Sequence, residues 1–118
     1  MTVLSCFGLA PGSRVGIRGW SDIAPGTVVD CSRSGRRVTV RLDRAELDPD
    51  WKPEFIPGGF SAHCPNQYEQ KWLITEDPNG PTVDYSLRHD GQWWAVGQKQ
   101  GSGSRLVDGW SKFYDFNF

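Results

Sequence analysis

The side chains with most chemical potential gather in one stretch, Gly58-Gly59-Phe60-Ser61-Ala62-His63-Cys64-Pro65-Asn66-Gln67-Tyr68-Glu69-Gln70. Histidine beside cysteine invites nucleophilic catalysis, but neighbours on an extended chain point to opposite faces. His63 is therefore badly placed to activate Cys64, and His89 would have to serve as the base. A small hydrolase using His63 or Cys64 ranks third of three readings, and no Gly-x-Ser-x-Gly elbow supports it. His63 and His89 are the only histidines, too few convergent ligands for a tetrahedral zinc site, so no metal is expected. Paired carboxylates such as Asp48 and Asp50 read as solvated loop residues. Gly101-Ser102-Gly103-Ser104 lacks the strand-to-helix context of a phosphate or dinucleotide loop, so no cofactor is expected and the chain reads as non-enzymatic.

Binding chemistry is better represented. Asn66, Gln67 and Gln70 carry amides that donate and accept, as reading a base edge requires, although the same side chains also anchor irregular backbone. Anchoring is the slightly stronger reading. Aromatic residues are abundant, with six Trp, three Tyr and six Phe. Trp93 and Trp94 cannot both face inward on one strand, so one is exposed, or covered by a loop or a second subunit. A tryptophan beside Lys71, Arg88 or Arg105 would suit a planar anion by stacking plus charge. The expected ligand site is thus Trp51, His63, Asn66, Gln67, Gln70, Trp72, Arg88 and Arg105, through stacking, base-edge hydrogen bonds and phosphate contacts. A second candidate surface, for nucleic acid, is the basic hairpin of Arg33, Arg36, Arg37 and Arg41, whose plain alternative is a solvated strand face.

The elements that must position these residues are strands. No dozen residues keep helical periodicity without a Gly or Pro, whereas alternation recurs throughout. Arg14 to Arg18, Gly26 to Ser32 and Arg37 to Leu42 read as strands, with Trp20 and Pro25 in a loop between the first two and a turn at Ser34-Gly35. Residues 43–69 read as one long ordered loop, Pro- and Gly-rich, with one helical turn at Arg44 to Leu47 and with Trp51, Phe55 and Phe60 holding it against the core. Residues 70–97 read as a three-stranded meander: Gln70 to Thr75, Thr82 to Arg88 and Gln92 to Val96. Its turns fall at Asp77-Pro78-Asn79-Gly80, a hairpin signal, and at Asp90-Gly91. Gly101 to Ser104 reads as a flexible loop, and 105–118 as an aromatic tail docked on the sheet. The fold class is all-β in a single domain over 1–118: a small SH3-like barrel, or two packed antiparallel sheets, with one long ordered loop.

At 118 residues the chain is long enough for one independent core. Residues 1–44, 45–91 and 92–118 carry net charges of +4, -6 and +1, giving the overall -1. Such blocks can pair within one copy, between copies, or with a partner. Near-zero net charge argues against DNA binding by bulk charge, and no apolar run approaches the roughly 20 residues of a membrane span. Cys6, Cys31 and Cys64 fit neither a disulfide framework nor a zinc knuckle, which points to a reducing cytoplasm. The run Val3 to Ala10 has no basic start, so no signal peptide is expected.

Pro11-Gly12-Ser13-Arg14-Val15-Gly16-Ile17, Pro25-Gly26-Thr27-Val28-Val29 and Arg37-Val38-Thr39-Val40-Arg41-Leu42 resemble the opening strands of SH3-like barrels of the Tudor type, over about a third of the chain. A broader likeness runs from Asp50-Trp51-Lys52-Pro53-Glu54-Phe55-Ile56-Pro57-Gly58-Gly59-Phe60 through His63-Cys64, Asn66-Gln67, Gln70-Lys71-Trp72, Asp77-Pro78-Asn79-Gly80 and Leu87-Arg88 to Phe113-Tyr114-Asp115-Phe116-Asn117-Phe118. These residues are similar to a family of small phage and prophage proteins. The resemblance implies a phage origin and transfers no activity or functional residue. The function expected is a non-enzymatic phage accessory binding protein in the cytoplasm of the host bacterial cell. It would counter host defence by sequestering a nucleotide-type signal or by blocking a defence protein. The alternative is an SH3-like nucleic-acid or protein-interaction module using Arg33–Arg41. The aromatic tail and opposed charge blocks also suggest a homodimer.

Overall fold

Valine alternating with arginine and threonine over residues 37–42 can bury its apolar half only as a strand. The computed structural model describes residues 9–54, 64–97 and 103–115. This segment is strand β3 (Arg37–Leu42), with Val38 and Val40 fully buried and Thr39 donating outward to Asp84 (Oγ1 to Oδ1, 2.7 Å). The other strands are β1 (Arg14–Arg18), β2 (Ile23–Cys31), β4 (Arg44–Leu47), β5 (Trp72–Thr75), β6 (Thr82–Leu87), β7 (Trp93–Ala95) and β8 (Arg105–Asp108), with a 3-10 turn at Gln67–Glu69.

Six strands close into an antiparallel barrel in the order β1-β2-β3-β6-β7-β8, and β4 pairs with β5 in a separate two-stranded ribbon. Barrel order is therefore chain order, interrupted once: the ribbon and its flanking segments lie between β3 and β6, which pair directly as Arg41↔Thr82 through Arg37↔Ser86. Closure removes the unpaired edges that an open sheet would expose. The interior is filled by Val15, Val28, Val38, Val40, Tyr85, Trp93, Ala95 and Leu106, with Ile17, Cys31 and Leu87 at its margin. Each buried valine or leucine among them contributes about 1.5–3 kcal/mol. Val28 and Cys31 both reach this core although three residues apart. The register steps from Val28↔Val40 to Asp30↔Thr39, so Val29 is a bulge residue that restores the inward phase. The phenol of Tyr85 is bonded to Ser104 (3.1 Å); burial pushes its pKa up, and the hydrogen bond only partly offsets this.

The all-β class and the barrel alternative hold, and several local expectations are corrected. Arg44 to Leu47 is a strand, not a helical turn, because its pairing from Arg44↔Thr75 to Leu47↔Trp72 satisfies the backbone. Residues 70–97 do not form one meander: β5 leaves for β4, while β6 lies between β3 and β7. The Asp77-to-Gly80 turn consequently joins strands that do not pair. Its glycine is needed for close approach, since a Cβ there would collide with the Leu42 carbonyl. β2 begins earlier than expected, at Ile23, and takes in Pro25. Trp93 and Trp94 are both covered, 1% and 9% exposed, within a single copy, and the Trp94 indole donates to Asp90 (3.0 Å).

After β8 the chain returns across the outside of the barrel. Trp110 donates its indole N–H to the Gly26 carbonyl (3.0 Å), and Phe113 exchanges two backbone hydrogen bonds with Ile23 (2.9 and 3.0 Å). Phe55 and Phe60 of the long loop, Gly101 and Ser102, and the last three tail residues lie outside the described residues. Among the described residues no helix is long and apolar enough to cross a membrane.

Candidate functional site

Among the described residues the expected ligand set falls in two parts of the structure, Trp51, Asn66, Gln67, Gln70 and Trp72 around the 3-10 turn and β5, and Arg88 and Arg105 near the β6–β7 turn and β8. Gln70 follows the 3-10 turn, and its amide is fully engaged: Nε2 donates to the carbonyls of Gln67 (2.8 Å) and Tyr114 (2.9 Å), while Oε1 accepts from the Trp72 indole (2.6 Å) and the Tyr114 amide (2.9 Å). Two donors and two acceptors exhaust what a glutamine side chain offers. Asn66 donates to the Lys52 carbonyl (2.9 Å) and accepts from the Glu54 amide (3.0 Å) and the Cys64 thiol (3.2 Å). Gln67, Trp51 and Cys64 are buried. Anchoring, the slightly stronger of the two expectations, accounts for the hydrogen bonds of Asn66 and Gln70. An irregular segment has no ladder partners, so side-chain amides supply its missing hydrogen bonds.

Trp72 is half-buried, with Lys112 Nζ 5.3 Å from its ring centroid. Arg88 and Arg105 belong to another part of the barrel. There Arg105 donates to the Gln92 side chain (3.1 Å), and the Arg88 amide donates to the Gln92 carbonyl (2.9 Å). His63 lies outside the described residues. His89 is exposed at the β6–β7 turn. Among the described residues no group of three or more His, Cys, Asp or Glu side chains could hold a metal ion.

The basic hairpin divides. Arg33, Arg36 and Arg37 are exposed at the β2–β3 turn. Arg41 is not available: its guanidinium is only 17% exposed, donates to Asp43 (3.1 Å) and lies 3.9 Å from Glu76. Asp43, between β3 and β4, has no side-chain exposure and also accepts from the Thr27 hydroxyl, the Trp110 indole (3.0 Å) and the Asp77 amide (3.2 Å). Burial alone would raise this carboxyl. The donors from Thr27, Asp77, Arg41 and Trp110 outweigh it and hold the pKa below the ordinary aspartate value. Arg14 completes the cluster, donating to Thr27 (2.8 Å), pairing with Glu76 (2.8 Å) and covering the Trp110 ring at 4.0 Å. The cluster ties together barrel, ribbon and tail, and its role is structural.

The exposed site lies at the β1–β2 connection. Gly19, Trp20, Ser21 and Asp22, together with Tyr114 and Asp115, line an open cleft of about 340 Å³. Trp20 is 92% exposed, far more than a ring of that size has when it belongs to a core. Tyr114 is 47% exposed, and its backbone is held on both sides by Gln70. The cleft walls are fixed to each other by the Ile23 to Phe113 bridge and by the Asp115 amide donating to Asp22 Oδ1 (2.9 Å). On the same tail segment, Phe113 stacks on the 82%-exposed Tyr68 at 5.8 Å. Sequence reasoning put Trp20 in a loop and gave it no role. A signal was present: a tryptophan between Gly19 and Ser21, outside either flanking strand, has no core face to occupy. No family model matches the chain, and neither does any curated protein or solved structure.

Proposed function

We propose that this chain is a non-enzymatic binding protein that acts by docking on another protein, with the Trp20–Tyr114 cleft as its recognition site. The observation that carries the reading is the almost complete exposure of Trp20 over a cleft whose walls are locked together. Rigid aromatic anchors at pre-organised sites are the side chains that contribute most at protein interfaces. Of the two routes by which a phage accessory protein would counter host defence, blocking a defence protein fits this site. Sequestering a nucleotide at the long loop fits less well, because Asn66 and Gln70 already serve the fold. The test is affinity capture from a bacterial host lysate with the wild-type chain and with Trp20→Ala. The expected outcome is a specific partner retained by the first and lost by the second, at unchanged melting temperature. Equal capture by both would remove the cleft from recognition.

A second reading rests on Arg33, Arg36 and Arg37, three exposed cations at one turn. Binding of DNA or RNA through them would weaken steeply with salt and fall in the double variant Arg36→Ala/Arg37→Ala. Indifference of nucleic-acid binding to that change would dispose of it.

A further inference from the structure

We propose that the Trp20–Tyr114 cleft receives a basic side chain, lysine or arginine, of the docked protein; this rests on the docking reading and names the chemistry of its partner. Two features of the cleft lead to a cation. Its exposed rings, Trp20 and Tyr114, present π-faces whose negative potential attracts an ammonium or guanidinium group. Among the described lining residues the charged side chains are two carboxylates, Asp22 and Asp115, with no lysine, arginine or histidine. Asp22 commits Oδ1 to the Asp115 amide, and no described donor engages its Oδ2. The nearest basic residues in sequence lie outside the cleft lining: Arg18 ends β1, and Lys112 lies over the Trp72 ring. An anionic ligand would meet carboxylates of like charge here, and a neutral apolar one would desolvate Asp22 Oδ2 with nothing to offset the cost. A cation satisfies rings and carboxylates together, its alkyl stem lying along the indole while the charged head reaches Asp22.

The cleft is also pre-shaped for a single side chain. Gly19 N donates to the Asp22 carbonyl (3.0 Å), closing the turn that presents Trp20, and Gln70 clamps the Tyr114 backbone through both its amide and its carbonyl. Little ordering remains to be done on binding, which favours a specific contact from a small anchor.

The test uses the full chain and blocked five-residue alanine peptides carrying lysine, arginine, or the neutral isosteres norleucine and citrulline at the centre. Binding is followed by two-dimensional amide and indole NMR. The expected result is saturable shifts confined to Gly19, the Trp20 indole, Asp22 and Asp115 with the two cationic peptides, at millimolar affinity. Norleucine and citrulline should bind more weakly, and Asp22→Asn, which keeps the Oδ1 acceptor, should weaken the cations roughly fivefold. Equal shifts from the neutral peptides, or none from the cations, would overturn the proposal. The two readings fail separately. If the cations do not bind while Trp20→Ala still abolishes partner capture, docking stands and the cation pocket falls. Cation binding at the cleft with unaltered capture by Trp20→Ala would leave the pocket but not its role in docking.

Discussion

At the scale of single residues, Asp43 is the side chain on which most depends. It is buried, charged and hydrogen-bonded to groups from β2, β3, the Asp77 turn and the tail. Asp43→Ala removes the acceptor of the Arg41 guanidinium, the Thr27 hydroxyl and the Asp77 amide, while the Trp110 indole keeps the Gly26 carbonyl, and is expected to cost about 3 kcal/mol in chemical denaturation. Its folded pKa lies below the unfolded value of 3.8, so the associated stability is complete above that pH and is lost as pH falls through the folded value. Melting temperature should therefore drop below about pH 4, and Asp43→Asn should flatten that acid arm. An arm of unchanged steepness would place the acid sensitivity in other carboxylates. None of this was legible in sequence, where Asp43 is one aspartate following a strand. For Asn66 and Gln70 backbone anchoring was already the stronger reading of the sequence, but the partners, Lys52 and Tyr114, were not legible because they are distant in the chain.

At the scale of elements, the junction of β3 with the ribbon is the tightest constraint. Leu42 N donates to the Pro81 carbonyl (2.8 Å), so the chain entering the excursion lies against the chain leaving it. Gly80→Ala puts a methyl into the Leu42 carbonyl and is expected to cost about 2–3 kcal/mol, since backbone on both sides must move. Stability within 0.5 kcal/mol of wild type, by urea titration, would show that the junction yields at little cost. The ribbon is a two-stranded pair, which is marginal by itself, and among the described residues the β7–β8 seam is held by the pair Trp94↔Arg105 and by the Ala95 amide donating to the Ser104 carbonyl (2.9 Å). Amide exchange should therefore be slowest in β2, β3 and β6 and faster in β4, β5 and β8. Equal protection throughout would mean that ribbon and barrel unfold as one unit. β1 and β3 were readable because each alternates visibly, whereas β2 carries a bulge and begins earlier than its alternation shows. The helical turn expected at Arg44 to Leu47 failed because four residues carry too little periodicity to outweigh the backbone pairing offered by β5.

At the scale of the whole molecule, the charge blocks are used within one copy. Arg14 pairs with Glu76 (2.8 Å), Arg41 lies 3.9 Å from the same carboxylate, and Arg44 lies 3.9 Å from Asp77, joining the basic first block to the acidic middle. The electrostatic reason for a homodimer is thereby weakened, and light scattering should give one mass, unchanged between about 50 mM and 500 mM salt. A mass that halves as salt rises would instead show that the blocks pair between copies.

By itself the sequence determined the class of structure, all-β, and the exact limits of β1 and β3, because alternation and turn residues are local properties. It gave Trp20 no role. Only the tertiary structure decided that β5 leaves the meander for β4, that a bulge at Val29 turns Cys31 inward, and that Asn66 and Gln70 are spent on the backbone while Trp20 stands free over a cleft. Each of those outcomes is set by which distant segments meet. Pairing energy, hydrogen-bond satisfaction and exposure belong to the meeting of two segments, and neither segment alone encodes them.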